Sequence, residues 1–389
     1  MRKWKRMALL LALGCCIFFA ETGVPVYGST IAEEGYIQEE NIQESSIKEI
    51  TSDIKEITIE RLSGGTRFET AQVIAEHFGQ GEMENVVLTT GHKFADALSA
   101  SVLAYELKAP ILLVDWTVAK SQDTFNFISE NLPSHGKVYI VGGKGIISED
   151  FEVALRKNGY ENLIRIEGQD RYETSFKIAN YLKELEEKGL EKEENDERTL
   201  EEVEVQESEI EDGLFIESET KQNEFEERKS QGRENPVRRN QVREINTVVI
   251  ASGEEYSDAL SISGIAANNG WPILLSPPHE LPGYMAEYLK TTNPSQIFIL
   301  GGEGAISQNL ISQINLLLPE SNIKRINGKN RLDTNILIAR TFAAEPHSLF
   351  LTTGYNFADA LAGSLLAAEN GDPIVYVNPN FPTIPKEAS

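Results

Sequence analysis

Three aspartates, Asp96, Asp258 and Asp359, recur in the same Asp-Ala-Leu setting, so a hydrolase working through carboxylates is the first chemistry to weigh. Each is expected in the first turn of a helix. A carboxylate there complements the helix dipole by roughly 0.3–1 kcal/mol, a structural reason sufficient for the repetition. The histidines, His77, His92, His135, His279 and His347, recur in no block and suggest no metal site. Gly142-Gly143 and Gly301-Gly302 could approach a phosphate, but no G-x-G-x-x-G or Walker lysine pattern follows a strand. These residues predict no enzyme, no cofactor and no metal.

Arg67, Arg171 and Arg331 are the stronger lead. Each falls one residue after an expected helix N-cap, Thr66, Asp170 or Asn330, where a cation opposes the dipole and needs compensation. Two readings compete. In one, an anion sits at the helix start and takes bonds from the guanidinium and free backbone amides. In the other, the arginine pairs with the Asp-Ala-Leu aspartate. Glu69, Glu173 and Asp333, three places after the caps, complete a capping box. Arg61, Arg165 and Arg325 are expected in packing or in contacts between units.

These residues belong to repeats. RLSGGTRFETA at 61–71, RIEGQDRYETS at 165–175 and RINGKNRLDTN at 325–335 share one pattern. A second block follows each: LTTGHKFADALSAS at 88–101, IASGEEYSDALSISG at 250–264 and LTTGYNFADALAGS at 351–364. Short apolar runs come next, at 109–114, 271–276 and 372–377. A third block ending in Gly-Gly, VYIVGGKGIIS at 138–148 and IFILGGEGAIS at 297–307, occurs twice, with Ser148 and Ser307 as helix caps. Strands alternating with helices through glycine turns at Gly91, Gly253 and Gly354 predict three tandem Rossmann-like α/β modules with mainly parallel sheets, the third lacking its last block.

Arg67 and Arg171 are 104 residues apart (67 to 171) but Arg171 and Arg331 are 160 apart (171 to 331), so the second unit carries an insertion of roughly 56 residues at 183–243. Its blocks of like charge and low hydrophobicity predict a solvated excursion. At the start, Arg2, Lys3, Lys5 and Arg6 precede an apolar stretch from Met7 to Ala20, the pattern of a signal peptide cut before Ser29. Both cysteines, Cys15 and Cys16, lie inside it, in a loose match to a lipoprotein box. No other run is long enough for a membrane helix. The net charge of −25 argues against nucleic acid.

Through these blocks the chain resembles the Gram-positive cell-wall-binding repeat (type 2) family. The resemblance covers nearly everything outside 31–55 and 183–243. Together with the signal pattern and the charge distribution, it divides the chain into a signal peptide (1–28), an acidic segment (29–60), repeats at 61–164 and 165–324, and a partial repeat at 325–389. It implies an exported surface protein whose modules pack on one another, attached without covalent bonds to an anionic secondary polymer of the wall. It also ties anchoring to the P-I-L-L stretch: Pro110, Ile111, Leu112 and Leu113, and Pro272, Ile273, Leu274 and Leu275. The third copy departs, reading Pro373, Ile374, Val375 and Tyr376. If the arginines are structural, the glycine turns beside these stretches are the next candidates to hold the polymer.

Overall fold

The computed structural model describes residues 58–78, 83–188 and 245–378. The expected signal peptide, all but the last three residues of the acidic segment, and most of the expected insertion lie outside them. Strands form where apolar and β-branched residues run without alternation, as parallel strands covered on both faces require. Four make the first sheet: β1 (Asn85–Thr90), β2 (Ile111–Val114), β3 (Lys137–Val141) and β4 (Leu163–Ile166), all parallel, in the order β2-β1-β3-β4. The second sheet repeats this with β5 (Thr247–Ser252), β6 (Ile273–Ser276), β7 (Gln296–Leu300) and β8 (Asn322–Ile326), in the order β6-β5-β7-β8. In the third unit β9 (Phe350–Thr353) and β10 (Ile374–Val377) pair in parallel.

The repeat in sequence and the repeat in space are out of phase by one strand. Arg165 opens the second sequence block, yet it lies on β4, opposite Ile140 of the first sheet. Arg325 likewise lies opposite Ile299. Both tie down their own sheet: Arg165 donates to the Gly142 carbonyl at 2.7 Å, and Arg325 to the carbonyls of Gly301 and Ile306 at 2.6 Å. Gly142 and Gly301 have φ of +130° and +91°, a region in which a side chain is strained. The Gly-Gly turns are thus backbone corners clamped by an arginine.

The helices are α1 (Arg67–His77), α2 (Ala100–Glu106), α3 (Gln122–Asn131), α4 (Glu149–Lys157), α5 (171–188), α6 (Ser257–Asn269), α7 (Gly283–Thr292), α8 (Gln308–Leu317), α9 (Arg331–Phe342) and α10 (Ala358–Asn370). The helix at α5 continues through 183–188, the first six residues of the expected insertion. At the two expected serine caps the structure departs from expectation once, for a local reason. Ser148 stands at the N-cap of α4, but its hydroxyl bonds the Asp150 carboxylate instead of a backbone amide. Ser307 does cap α8, accepting from the Leu310 amide at 3.3 Å.

One face of the first sheet closes on its own core, with Phe125, Ile128, Phe151 and Leu155, and one face of the second does the same with Met285, Leu289, Leu310 and Ile314. The opposite faces meet in one shared core. There α2, which follows the first Asp-Ala-Leu block, and α6 and α10, which contain the other two, pack together through Leu103, Ile262, Leu361 and Leu365. α1 of the first unit packs on α10 of the third, and α9 of the third on α6 of the second. The units therefore close a ring head to tail within one chain. Among the described residues the third sheet is the thinnest: Leu351 on β9 is 53% exposed, where its counterparts Leu88 and Ile250 are 1% and 0% exposed.

Candidate functional site

The block that carries the arginines is first of all a knot of backbone and side chain. Gly64, Gly168 and Gly328 donate their amides to the hydroxyls of Thr70, Thr174 and Thr334 at 2.9–3.0 Å. A Cβ on any of the three glycines would lie within 2.5 Å of the helix that follows. Thr66, Asp170 and Asn330 cap as expected. The acidic partners differ slightly from a standard capping box: Glu69 and Glu173 accept from the residue before the cap, Gly65 and Gln169, at 2.7 Å.

Leaving this knot, Arg67, Arg171 and Arg331 turn toward the glycine turns of their own units. Each donates through Nη1 to a glycine carbonyl: Arg67 to Gly91 at 2.5 Å, Arg171 to Gly253 at 2.5 Å and Arg331 to Gly354 at 3.3 Å. The expected arginines and glycine turns are thus brought together. No ion pair among the described residues joins one of these arginines to an Asp-Ala-Leu aspartate. Arg331 instead lies 3.6 Å from Glu255.

The aspartate that feels each arginine belongs to a neighbouring unit. Burial pushes the Asp96 carboxyl up, with the Thr174 hydroxyl and Arg171 pulling it back. Asp258 is raised by burial to about 6 against the pull of Arg331. Asp359 is raised by burial against Arg67. First unit thus faces second, second faces third, and third faces first. Asp258 and Asp359 lie in the first turns of α6 and α10. Asp96 does not: residues 95–99 form turns with i to i+3 bonds such as Ala97 to Phe94, and α2 starts only at Ala100.

Three aromatic rings fill the centre of these junctions. Phe94, Tyr256 and Phe357, each two residues before its aspartate, lie 5.3, 6.2 and 6.3 Å apart. The Arg171 guanidinium sits 5.8 Å from the Phe94 ring and that of Arg331 5.9 Å from Tyr256, cation–π distances in both cases. The recurrence of an aromatic at this position was the signal for this centre.

The P-I-L-L residues are elsewhere. Ile111, Leu112, Leu113, Ile273, Leu274 and Leu275 are at most 1% exposed, and Pro110 and Pro272 are buried too. They present no side chain to solvent; they set the ends of β2 and β6, whose last carbonyls accept from the Gly91 and Gly253 amides. Tyr376, the departure in the third copy, has its ring buried and its hydroxyl donating to the Ser257 carbonyl of the second unit at 2.9 Å.

The raised Asp258 carboxyl gives a stability prediction. The folded state holds this proton more tightly than the unfolded chain, whose value is 3.8. The group therefore favours folding fully below pH 3.8, and that contribution is lost as pH rises through 6. Asp258→Asn is expected to raise stability at pH 7 by up to about 3 kcal/mol, two pH units at about 1.36 kcal/mol each. Its advantage over wild type should shrink as pH falls to 4.5. Urea melts at both pH values decide; an advantage independent of pH refutes the assignment.

A family model described as cell wall binding domain 2 (CWB2) matches residues 61–152, 165–311 and 325–388. The amidase enhancer of Bacillus subtilis is 24% identical over 371 residues, 95% of this chain and 41% of that protein. N-acetylmuramoyl-L-alanine amidase LytC of Bacillus subtilis is 35% identical over 133 residues, 34% of this chain and 26% of that protein. The chain thus spans less than half the length of either relative. Among solved structures, Cwp6 from Clostridium difficile aligns with a TM-score of 0.64 at 23% identity, over 82% of this chain and 42% of that one. Cwp8 from Clostridium difficile aligns at 0.62 and 24%, over 86% and 47%. These two likenesses are of fold.

Proposed function

The chain belongs to the cell wall binding domain 2 family, and from that premise we propose that it is held at the cell wall by an anionic secondary polymer bound at its three arginine junctions. Family membership makes it a cell-wall-binding protein of the surface. The choice of polymer and of site is our reading. One observation carries it: Arg67, Arg171 and Arg331 stand partly exposed at equivalent places around one aromatic centre. A chain of net charge −25 meets a polyanion only through local positive sites, and this ring repeats one three times.

The geometry favours the guanidinium over the helix amides as the anion's donor. The Tyr172, Glu173, Leu332 and Asp333 amides are already taken by the cap side chains. Arginine has five N–H donors, and the glycine carbonyl accepts from only one guanidinium nitrogen. The P-I-L-L strands contribute by fixing the turns, since their side chains are buried.

Binding, not turnover, is the role this family match supports. Each Asp-Ala-Leu aspartate faces an arginine of the next unit, and the charges acting on one do not include another of the three. The test is sedimentation of the protein with purified Gram-positive walls before and after hydrofluoric acid removes phosphate-linked polymers. Binding that survives this extraction overturns the polymer reading, and release of labelled fragments from peptidoglycan would restore the hydrolase.

A further inference from the structure

The corner where β1 and β2 end adjoins the Arg67 junction, since the Gly91 carbonyl at its start accepts from Arg67. The Gly91 amide donates to the Val114 carbonyl at 2.9 Å, so the residues that follow, His92 on one side and Asp115-Trp116 on the other, leave the sheet next to each other. The carboxyl edge of a parallel sheet is where such folds hold ligands. Trp116 stacks on His92 with ring centroids 4.6 Å apart and planes 12° from parallel, and Phe68 backs His92 at 5.8 Å. The Asp115 carboxylate is 3.4 Å from His92 Nε2, and its other oxygen accepts from the Trp116 amide at 2.6 Å. The Asp115 amide in turn donates to the Ser121 hydroxyl at 2.9 Å.

Trp116 is therefore held from behind and from its backbone, yet 47% of it is exposed. With one face covered by His92, that exposure lies on the opposite face and edge. A large, rigid, half-exposed indole is a poor choice for solvent contact. It is a good one for stacking, because little rotamer freedom is lost on binding. The electron-rich face of an aromatic ring attracts the polarised axial C–H groups of a pyranose. The same corner of the third unit exposes Tyr355, 56% accessible, with Arg331 5.9 Å from its ring; in the second unit Tyr172 bonds Glu254 at 2.9 Å. An aromatic ring thus stands at every corner.

We propose that Trp116, braced by His92, Phe68 and Asp115, is a stacking platform for an uncharged sugar ring of the wall polymer. This rests on the attachment reading above and adds the saccharide to its charge. The chain has three tryptophans; Trp4 lies outside the described residues, and Trp271 is packed between Phe298 and Phe342 at 5.5 and 5.4 Å. Trp116 is thus the emission that a ligand at this corner would change.

The experiment titrates the full chain with the uncharged saccharide units that hydrofluoric acid releases from Bacillus subtilis walls, and separately sediments it with intact walls. The expected result is a shift of tryptophan emission in wild type and in Trp271→Phe that is lost in Trp116→Ala. Wall affinity should fall about tenfold in Trp116→Ala and no more than about threefold in Trp116→Phe, which keeps a ring. Unchanged emission in a wild type that binds walls, or full wall affinity in Trp116→Ala, overturns the platform alone. If wild type leaves walls unbound, the attachment reading fails, and the emission arm still decides whether Trp116 meets sugar.

Discussion

Replacing Gly264 by valine is expected to cost about 3 kcal/mol or more and to remove wall binding with the fold. Gly264 lies where α6 crosses α10. Even a Cβ there would come 2.9 Å from the Ala367 Cβ and 3.2 Å from the Ser364 carbonyl oxygen. Valine adds two methyl groups to a crossing that has no room, and overpacking of this kind costs roughly 1–3 kcal/mol even when neighbours yield. Here they yield only by parting two helices of the shared core. Gly363 on α10 is the control, because nothing lies within 4 Å of its Cβ position. Gly363→Ala should stabilise by up to about 1 kcal/mol, the ordinary gain of removing a helical glycine. Denaturant midpoints of the two variants therefore move in opposite directions. A Gly264→Val protein that melts like wild type would show that α6 and α10 do not meet as described.

The second large effect is on attachment. Each of Arg67→Gln, Arg171→Gln and Arg331→Gln removes a charged hydrogen bond to a glycine carbonyl, and should lower stability by roughly 1–3 kcal/mol. On walls each single change is expected to cost a few-fold, but the triple change on the order of a hundredfold or more. Three weak sites on one chain reinforce one another on a repetitive polymer, and that gain vanishes when all are lost. Raising salt should weaken wild type more than the triple variant. The triple Arg→Lys variant separates charge from structure: it keeps the cations and loses the fork that holds the carbonyl. A folded triple glutamine variant that binds walls fully at moderate salt would rule the arginines out as the site.

Much of this was written locally. The three repeats, the parallel strands and the helix caps follow from spacing and from side chains that bond within a turn, as Thr66, Asp170 and Asn330 do. The arginines and glycine turns were also legible as candidates, because they recur. Their mutual bond was not, since Arg171 and Gly253 are 82 residues apart and the contact is made only by the fold. The phase shift that puts Arg165 on the first sheet was hidden for a similar reason: strand order is a property of the pairing, and the block pattern runs straight across it. Ser148 has the residue type of a cap but a neighbouring carboxylate competes for its hydroxyl. The Trp116 corner had no signal at all, because His92, Asp115 and Trp116 belong to the first unit only.

The contact of α1 with α10 joins residues 67–77 to residues 358–370. A chain emerging with its N-terminus first makes α1 at the outset and its partner nearly 300 residues later. Until then α1 has only β2 and α3 of its own unit to pack on, and the side that will meet α10 is uncovered. Contacts so distant along the chain are slow to find, because the loop must close before it is rewarded. The first two sheets have private cores and can form as each is completed, whereas the ring is sealed by a late step. Folding of this protein should therefore show a long-lived open intermediate, sticky along one helix, whose lifetime is set by the arrival of the third unit.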